Sequence, residues 1–309
     1  MVILAQALLL AVGFVMLVKG ADWFVDGVAS IAAKFGIPQL VIGLTVVALG
    51  TSAPEAAVSI SAAMAGSAEI TVGNIVGSNI LNVLIILGLS AAISPLTVAK
   101  STVRIEIPFM ILVTVLLGVL GCDGIMGWIS GLILLVFFGV YLVYTIIYAK
   151  KNMGKEETDE IKDMPLAKSI LFTVAGLAVV IMGSRFTVSS ASYIANAMGL
   201  SERFIGLTIV ALGTSLPELF TSVAAARKNN ADIAIGNIVG SNIFNILFVV
   251  GLSSVIIPVP FAANFIFDTG ICLATGALLL LACFRYHRVS RPAGILMLLC
   301  YAAYFVVIL

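Results

Sequence analysis

A chain of 309 residues that is 61% hydrophobic and only 10% charged is not an ordinary soluble domain, where about a quarter of residues carry charge. Its net charge of +1 gives no reason to propose a nucleic-acid partner. The four cysteines, Cys122, Cys272, Cys283 and Cys300, have neither zinc-like nor paired spacing and read as small buried hydrophobes. Long apolar stretches separated by short polar ones predict a bundle of membrane-spanning helices, each needing about 20 residues.

The first predicted span, residues 2–34, carries Lys19, Asp22 and Asp26. It has no basic flank before it and no evident cleavage site, so it reads as a retained helix rather than a signal peptide. The second, 38–65, contains IGLTVVALGTSAPE at 42–55, and the third, 70–93, contains GNIVGSNILN. The fourth and fifth, 105–121 and 125–148, are plain apolar helices. Residues 150–168, KKNMGKEETDEIKDMPLAK, form a charged, solvated linker too short to be a domain. Five further spans follow at 168–199, 203–226, 232–257, 265–284 and 292–309.

The second half repeats the first. IGLTIVALGTSLPE stands at 205–218, and one constant offset of 163 relates Glu55 to Glu218, Asn82 to Asn245, Gly20 to Gly183 and Gly36 to Gly199. This predicts a first five-helix repeat over 1–149, a cytosolic linker over 150–168 and a second repeat over 169–309. Five is odd, so the two halves lie upside down relative to each other. Counting from an external N-terminus, the internal loops collect Lys34, Lys100, Arg104, Lys150, Lys151, Lys155, Lys162, Lys168, Arg227, Lys228, Arg285, Arg288 and Arg291. The external loops collect essentially only Arg203, which supports both termini outside. The expected fold is an all-α membrane protein: ten transmembrane helices as two inverted five-helix repeats, with broken helices at the midplane. That organisation is a signature of secondary transporters.

The two GTSxPE motifs supply the chemistry. Pro54 and Pro217 lack the amide hydrogen a helix interior needs, and Gly50 and Gly213 tolerate an opened backbone. Each helix is expected to break before its glutamate, loosening the carbonyls of Ala48, Thr51, Ala211 and Thr214 toward a cation. The hydroxyls of Thr51, Ser52, Thr214 and Ser215 add oxygen ligands, and Glu55 and Glu218 add two negative charges. One carboxylate at the membrane centre costs about 2.5–3.5 kcal/mol, and two facing ones also repel, so a divalent cation removes both penalties. Oxygen donors of this kind suit Ca²⁺, and Na⁺ uses the same chemistry with less charge. No span offers a Cys/His cluster for a softer metal.

The third and eighth spans add GNIVGSNILN and GNIVGSNIFN. Gly73, Gly77, Gly236 and Gly240 offer smooth surfaces for helix contact. Ser78 and Asn82, like Ser241 and Asn245, are four apart and share a helical face. Asn74, Asn79, Asn237 and Asn242 are assigned a structural role, bridging helices or capping breaks. Lys19 and Asp22, three apart, are expected to pair with each other. Arg185 stands at the position equivalent to Asp22, and His287 among arginines reads as solvated.

GTSxPE together with GNxxGSNxxN, present once in each half, resembles the sodium/calcium exchangers of the calcium/cation antiporter superfamily. The resemblance covers the whole ten-span body. It implies four ion subsites around the second, third, seventh and eighth spans. By position, the calcium subsite would use Glu55 and Glu218 with the carbonyls of Thr51 and Thr214. An outer sodium subsite would use Ala211, Thr214, Ser215, Ser241 and Glu218, and its inner mirror Ala48, Thr51, Ser52, Ser78 and Glu55. A central subsite would place Asn82 and Asn245 beside both glutamates. Some relatives, the potassium-dependent ones among them, carry aspartate where this chain has Asn245, which disfavours potassium co-transport. Animal relatives carry a large regulatory domain where this chain has only its linker.

The expected function is antiport of Na⁺ against Ca²⁺ by alternating access, with the long first and sixth spans moving across a fixed core. Calcium and sodium ions and the lipid bilayer are the expected partners, with no cofactor, no nucleic acid and no obligate protein partner. The setting fits a prokaryotic cell membrane. Proton/calcium relatives typically place an acidic residue in the motif of the third and eighth spans, where this chain has GNIVGSN. A cation channel would carry current uncoupled from a counter-gradient. An intramembrane enzyme would need a nucleophile and base or a motif such as HExxH, which is absent.

Overall fold

A computed structural model describes residues 2–65, 69–154, 164–199 and 211–308. The chain is mostly helical. Among the described residues, seven helices are long and apolar enough to cross a membrane: Val2–Phe35 (α1), Ile70–Ile93 (α4), Thr102–Gly121 (α5), Trp128–Asn152 (α6), Leu166–Ala197 (α7), Ala231–Ile256 (α10) and Phe265–Phe284, the body of Ala263–Phe284 (α11). The pair Gln39–Thr51 (α2) and Ala53–Met64 (α3) is long and apolar enough when taken together, and is bent by 48° at its break. Its counterparts Ala211–Thr214 (α8) and Leu216–Arg227 (α9) meet at Ser215, and Arg291–Ile308 (α12) closes the described chain. Residues 200–210, the start of the predicted seventh span with Arg203, lie outside the described residues, as do Lys155 and Lys162 of the linker.

α1 and α7 form a long antiparallel pair. Gly13 lies against Gly183 and Thr187, Gly20 against Gly176 and Val180, and Gly27 against Ser169 and Thr173. These evenly spaced glycines of α1 present one bare stripe, and the backbones close on it. A Cβ on Gly20 would stand 2.8 Å from the Val180 nitrogen, and one on Gly176 2.5 Å from the Phe24 nitrogen. The hydroxyls of Ser30 and Ser169 meet at 2.9 Å near the end of this seam. Without a hydrophobic drive between helices in lipid, such contact at van der Waals range is what holds them.

The interior is built on α10, whose apolar window is 94% buried, and on α4, 78% buried. Gly236 and Gly240 of α10 pack against the carbonyls of Leu40 and Leu44 on α2, as the smooth-surface expectation requires. A Cβ on Gly73 would meet the Phe265 ring at 3.4 Å, and one on Gly77 would meet nothing within 4 Å among the described residues, so the smooth surface is not used for close contact there.

The all-α expectation needs one addition. Residues Leu96–Thr97 (β1), Ile125–Met126 (β2), Val259–Pro260 (β3) and Arg288–Val289 (β4) form two short antiparallel sheets. In one, Leu96 faces Val289 and Thr97 faces Arg288; in the other, Met126 faces Val259 and Ile125 faces Pro260. Exchanging each residue for its counterpart in the other half turns the first register into the second. Pro95 and Pro258 end the preceding helices, and the extended chain they leave finds a partner in the opposite half.

Two local expectations are corrected. Cys272 and Cys283 are buried, but Cys122 is exposed, because it caps α5 where the chain turns through Gly124 at φ +91°. Asp22 takes Lys228 rather than Lys19. The Lys228 ammonium, at the end of α9, donates to Asp26 Oδ1 at 2.7 Å and to the Asp22 carbonyl at 2.7 Å, and lies 3.5 Å from Asp22 Oδ1. Sequence spacing alone cannot reveal a partner so far along the chain. His287, read as solvated, is half-buried at φ +49° in the turn before β4, where its carbonyl accepts from the Val98 amide.

Gly20→Leu should lower thermal stability in detergent, since overpacking a close seam costs about 1–3 kcal/mol. Gly139→Leu, where a Cβ would meet nothing within 4 Å, should leave the melting temperature unchanged.

Candidate ion-binding centre

α2 stops at Thr51, Ser52 takes φ −80° and ψ 4°, and α3 starts at Ala53 with Pro54 in its first turn. Proline belongs there, because first-turn amides have no intrahelical acceptor and its ring sets the helical φ. Glu55 follows in the same turn, where the amide ends of the helix favour a carboxylate. Ser215 repeats the break at φ −89° and ψ 6°, with Pro217 and Glu218 opening α9.

The two breaks bond across to each other. Ser52 Oγ donates to Glu218 Oε1 at 2.8 Å, and Ser215 Oγ donates to Glu55 Oε1 at 3.0 Å. Both glutamates are 1% exposed, so these acids sit inside the bundle and not against lipid. Ser215 Oγ also lies 3.4 Å from Ser78 Oγ on α4, one turn before Asn82. On the mirrored side, Ser241 Oγ donates to the Ala48 carbonyl at 3.5 Å.

A crossed amide lattice braces α4 against α10. Asn79 Nδ2 donates to the Asn242 carbonyl at 3.1 Å, and Asn242 Nδ2 to the Asn79 carbonyl at 3.2 Å. Asn82 Nδ2 donates to Asn242 Oδ1 at 2.9 Å, and Asn245 Nδ2 to Asn79 Oδ1 at 3.1 Å. Both amide nitrogens of the site pair are thus used on the lattice, which turns their oxygens the other way. Asn237 bridges further, donating to Ser222 Oγ at 2.9 Å and accepting from Thr51 Oγ1 at 3.0 Å. Asn74 Nδ2 donates to Ser59 Oγ at 3.0 Å.

What is left over decides the chemistry. Glu55 Oε2, Glu218 Oε2, Asn82 Oδ1 and Asn245 Oδ1 are buried and accept no hydrogen bond. All four are acceptors, and they fall into two pairs related by the repeat. Buried acceptors with no donor are costly unless a cation or proton serves them. Among the described residues, no group of three or more His, Cys, Asp or Glu side chains could hold a metal. An ion at this centre therefore relies on two carboxylates plus neutral oxygens, the donor set of hard cations.

Some expected ligands are placed differently. The Ala48 carbonyl still accepts from the Ser52 amide at 3.0 Å, because α2 runs to Thr51 before breaking, and its second lone pair faces Ser241 Oγ. The Thr51 hydroxyl is buried and engaged with the Val47 carbonyl and Asn237. Thr214 is half-buried at the second break, and Ala211 opens α8 at the edge of the described chain. Sequence reasoning left Asn79 and Asn242 outside the site, although each stands three residues before a site asparagine on the same helix. It also missed π-helical turns at Gly43–Val47, Asn82–Leu87 and Asn245–Val250, two of which begin at the site asparagines. Such turns gather at functional sites.

Comparison with known proteins places this geometry. The family model described as sodium/calcium exchanger protein matches residues 5–147 and 168–309. The chain belongs to the sodium/calcium exchanger family. That family consists of membrane cation antiporters and not of enzymes. The chain is 39% identical to the inner membrane protein YrbG of Escherichia coli, over 96% of this chain and 94% of that one. It is 31% identical to the sodium/calcium exchanger MaX1 of Methanosarcina acetivorans, over 97% of each. A solved structure of the sodium-calcium exchanger NCX_Mj, soaked without Na⁺ and Ca²⁺, superposes with a TM-score of 0.88 at 35% identity. It covers 99% of this chain and 100% of that one.

Asn242→Ala removes the acceptor of Asn82 and the donor to the Asn79 carbonyl. Leaving two buried groups unpaired should cost about 1–3 kcal/mol each, read as lowered resistance to unfolding in mixed detergent without ions. Asn79→Ala should lose a similar amount, because its bonds are the mirror set.

Proposed function

We propose that this protein exchanges Na⁺ for Ca²⁺ across a membrane by alternating access, with Glu55 and Glu218 as the shared charged ligands. The observation that carries this reading is the set of four buried acceptor oxygens at Glu55, Glu218, Asn82 and Asn245. Two carboxylates cannot neutralise a calcium ion and a full sodium load together, so the ions take turns. A neutralised centre crosses the closed state, whereas an empty one keeps unpaired charge that resists closure. In this reading calcium lies between the glutamates and the carbonyls of Thr51 and Thr214. Sodium occupies flanking sites at Ala48, Thr51, Ser52 and Ser78 and at Ala211, Thr214, Ser215 and Ser241, and Asn82 and Asn245 hold the central subsite.

Sodium rather than protons is favoured as the coupled ion by the neutral GNIVGSN segments of α4 and α10. The names of MaX1 and NCX_Mj as sodium/calcium exchangers point the same way. The architecture proposed is ten spans in two inverted five-helix repeats, 1–149 and 169–309, joined by a cytosolic linker over 150–168 with both termini outside. The antiparallel α1–α7 pair and the two sheet registers that mirror each other support it.

The moving part proposed is the α1–α7 pair. Along α1, the seam with α9 is closed by Phe14 against Phe220, ring centroids 6.3 Å apart, and by Lys228 on Asp22 and Asp26. At the mirrored positions stand Leu177 and Ala57, then Arg185 and Ala65, which can form neither contact. The seam on α9 is held shut, and its mirror on α3 has no such lock.

In proteoliposomes, an imposed sodium gradient should drive ⁴⁵Ca²⁺ uptake, and Glu55→Gln and Glu218→Gln should each reduce it to background. Uptake driven by a pH gradient and indifferent to sodium would replace this reading with proton coupling. Lys228→Gln should shift the balance between the two facing states by up to about five-fold, read as the ratio of apparent calcium affinities measured from the two sides of the membrane, since a part-exposed ion pair is worth up to about 1 kcal/mol. An unchanged ratio would remove the lock.

A further inference from the structure

A third buried carboxylate lies away from the centre. Thr102–Glu106 is a π-helical turn at the start of α5, and it carries Glu106 inward to 1% exposure while Arg104 stays exposed. Tyr144 of α6 donates to Glu106 Oε1. Glu106 Oε2 is buried with no hydrogen-bond partner, and no ion pair reaches it among the described residues. A buried carboxylate oxygen left without a donor is costly and calls for a cation from elsewhere.

Beside it is a cavity of about 190 Å³ lined by Ile105, Glu106, Phe109, Val140, Tyr141 and Tyr144. The Phe109 and Tyr141 rings stack at 5.8 Å with an interplanar angle of 6°. Ile105 is 44% and Val140 58% exposed, so the cavity lies on the outer face of the α5–α6 pair, against lipid. Glu106 is four residues inside the start of α5, about 6 Å along the axis and so near the headgroup boundary. The Ser101 and Tyr148 hydroxyls meet at 3.0 Å about one turn further along the same two helices.

We propose that this cavity binds the primary ammonium of a phosphatidylethanolamine headgroup. The ammonium donates to Glu106 Oε2 and rests against the rings of Phe109, Tyr141 and Tyr144, which attract a cation through their π faces. A metal ion is a poor fit, because one carboxylate and tyrosine hydroxyls fall short of the six to eight oxygens that Ca²⁺ takes. A choline headgroup is quaternary and has no N–H to give Oε2. The counterparts of Glu106 and Tyr144 in the second repeat are Thr269 and Val307; that half instead pairs Tyr304 with the half-buried Asp268, one position earlier, at 3.0 Å. It also touches the transport core, since the Tyr141 hydroxyl donates to the Leu44 carbonyl, at 3.0 Å, in the π turn of α2. Headgroup binding itself does not depend on which ions are exchanged.

The test uses the full chain in nanodiscs of three compositions. One is phosphatidylglycerol alone; the others add, at one matched minor fraction, either phosphatidylethanolamine or phosphatidylcholine. Ethanolamine lipid should raise the melting temperature by several degrees and leave one such lipid bound in native mass spectra; choline lipid should do neither. Glu106→Gln should lose the difference between the two lipids. Val140→Trp, which fills the cavity without touching the carboxylate, should lose it too and keeps the test valid if Glu106→Gln folds poorly. Equal effects of both lipids, or retention of the ethanolamine increment in both variants, overturns the proposal. Stabilisation by ethylammonium chloride in phosphatidylglycerol discs as large as that by the lipid overturns the lipid assignment in favour of a free amine.

Discussion

Two acids enclosed in an apolar bundle, with no protein cation between them among the described residues, set the terms for everything around them. Glu55 and Glu218 are almost wholly buried, and each keeps one oxygen bonded to a serine of the other break and one oxygen unserved. Such an arrangement is unstable as pure packing, because the same volume filled with apolar side chains would fold at lower cost. A cation or proton bound between them would supply the charge that the protein does not. The helix breaks follow from the same constraint: each glutamate lies in the first turn of a new helix, where amide ends partly offset its charge, and proline starts that turn without wasting a donor.

Around this centre the structure divides into a braced part and a smooth part. The asparagine lattice between α4 and α10 uses directional bonds, which fix register as well as distance. Glycine on α2 and α10 brings those helices to backbone contact. The α1–α7 pair is joined internally by another glycine stripe, while its packing on α9 includes one ring contact and one ammonium. Directional bonds resist sliding far more than smooth apolar contact does, so the two parts differ in what they permit.

Much of this was legible in the sequence because the duplication doubles every signal. A proline–glutamate break seen once is ambiguous; seen twice at one offset it marks a site, and spacing by four correctly set Ser78 with Asn82 on one face. The illegible parts involve partners that local spacing cannot supply. The crossed serine–glutamate bonds join residues from opposite halves of the chain. Lys228 reaches Asp22 from the other half, overriding the local Lys19. The π turns leave no propensity signature, since they arise where packing forces an extra residue into a turn. Asn79 and Asn242 were read as bridges, and that is their geometry, but how their amides aim the site asparagines needed coordinates.

The two short sheets have a consequence of their own. Each joins one strand from either half, and α5 and α11 both run from one sheet to the other. The halves are therefore stitched at both rims, like staves hooped top and bottom. A lengthened loop in one copy would throw its stitch out of step with a fixed partner, so after the ancestral doubling these connections could drift only in concert. The hoops also confine any rocking to the helices they leave outside.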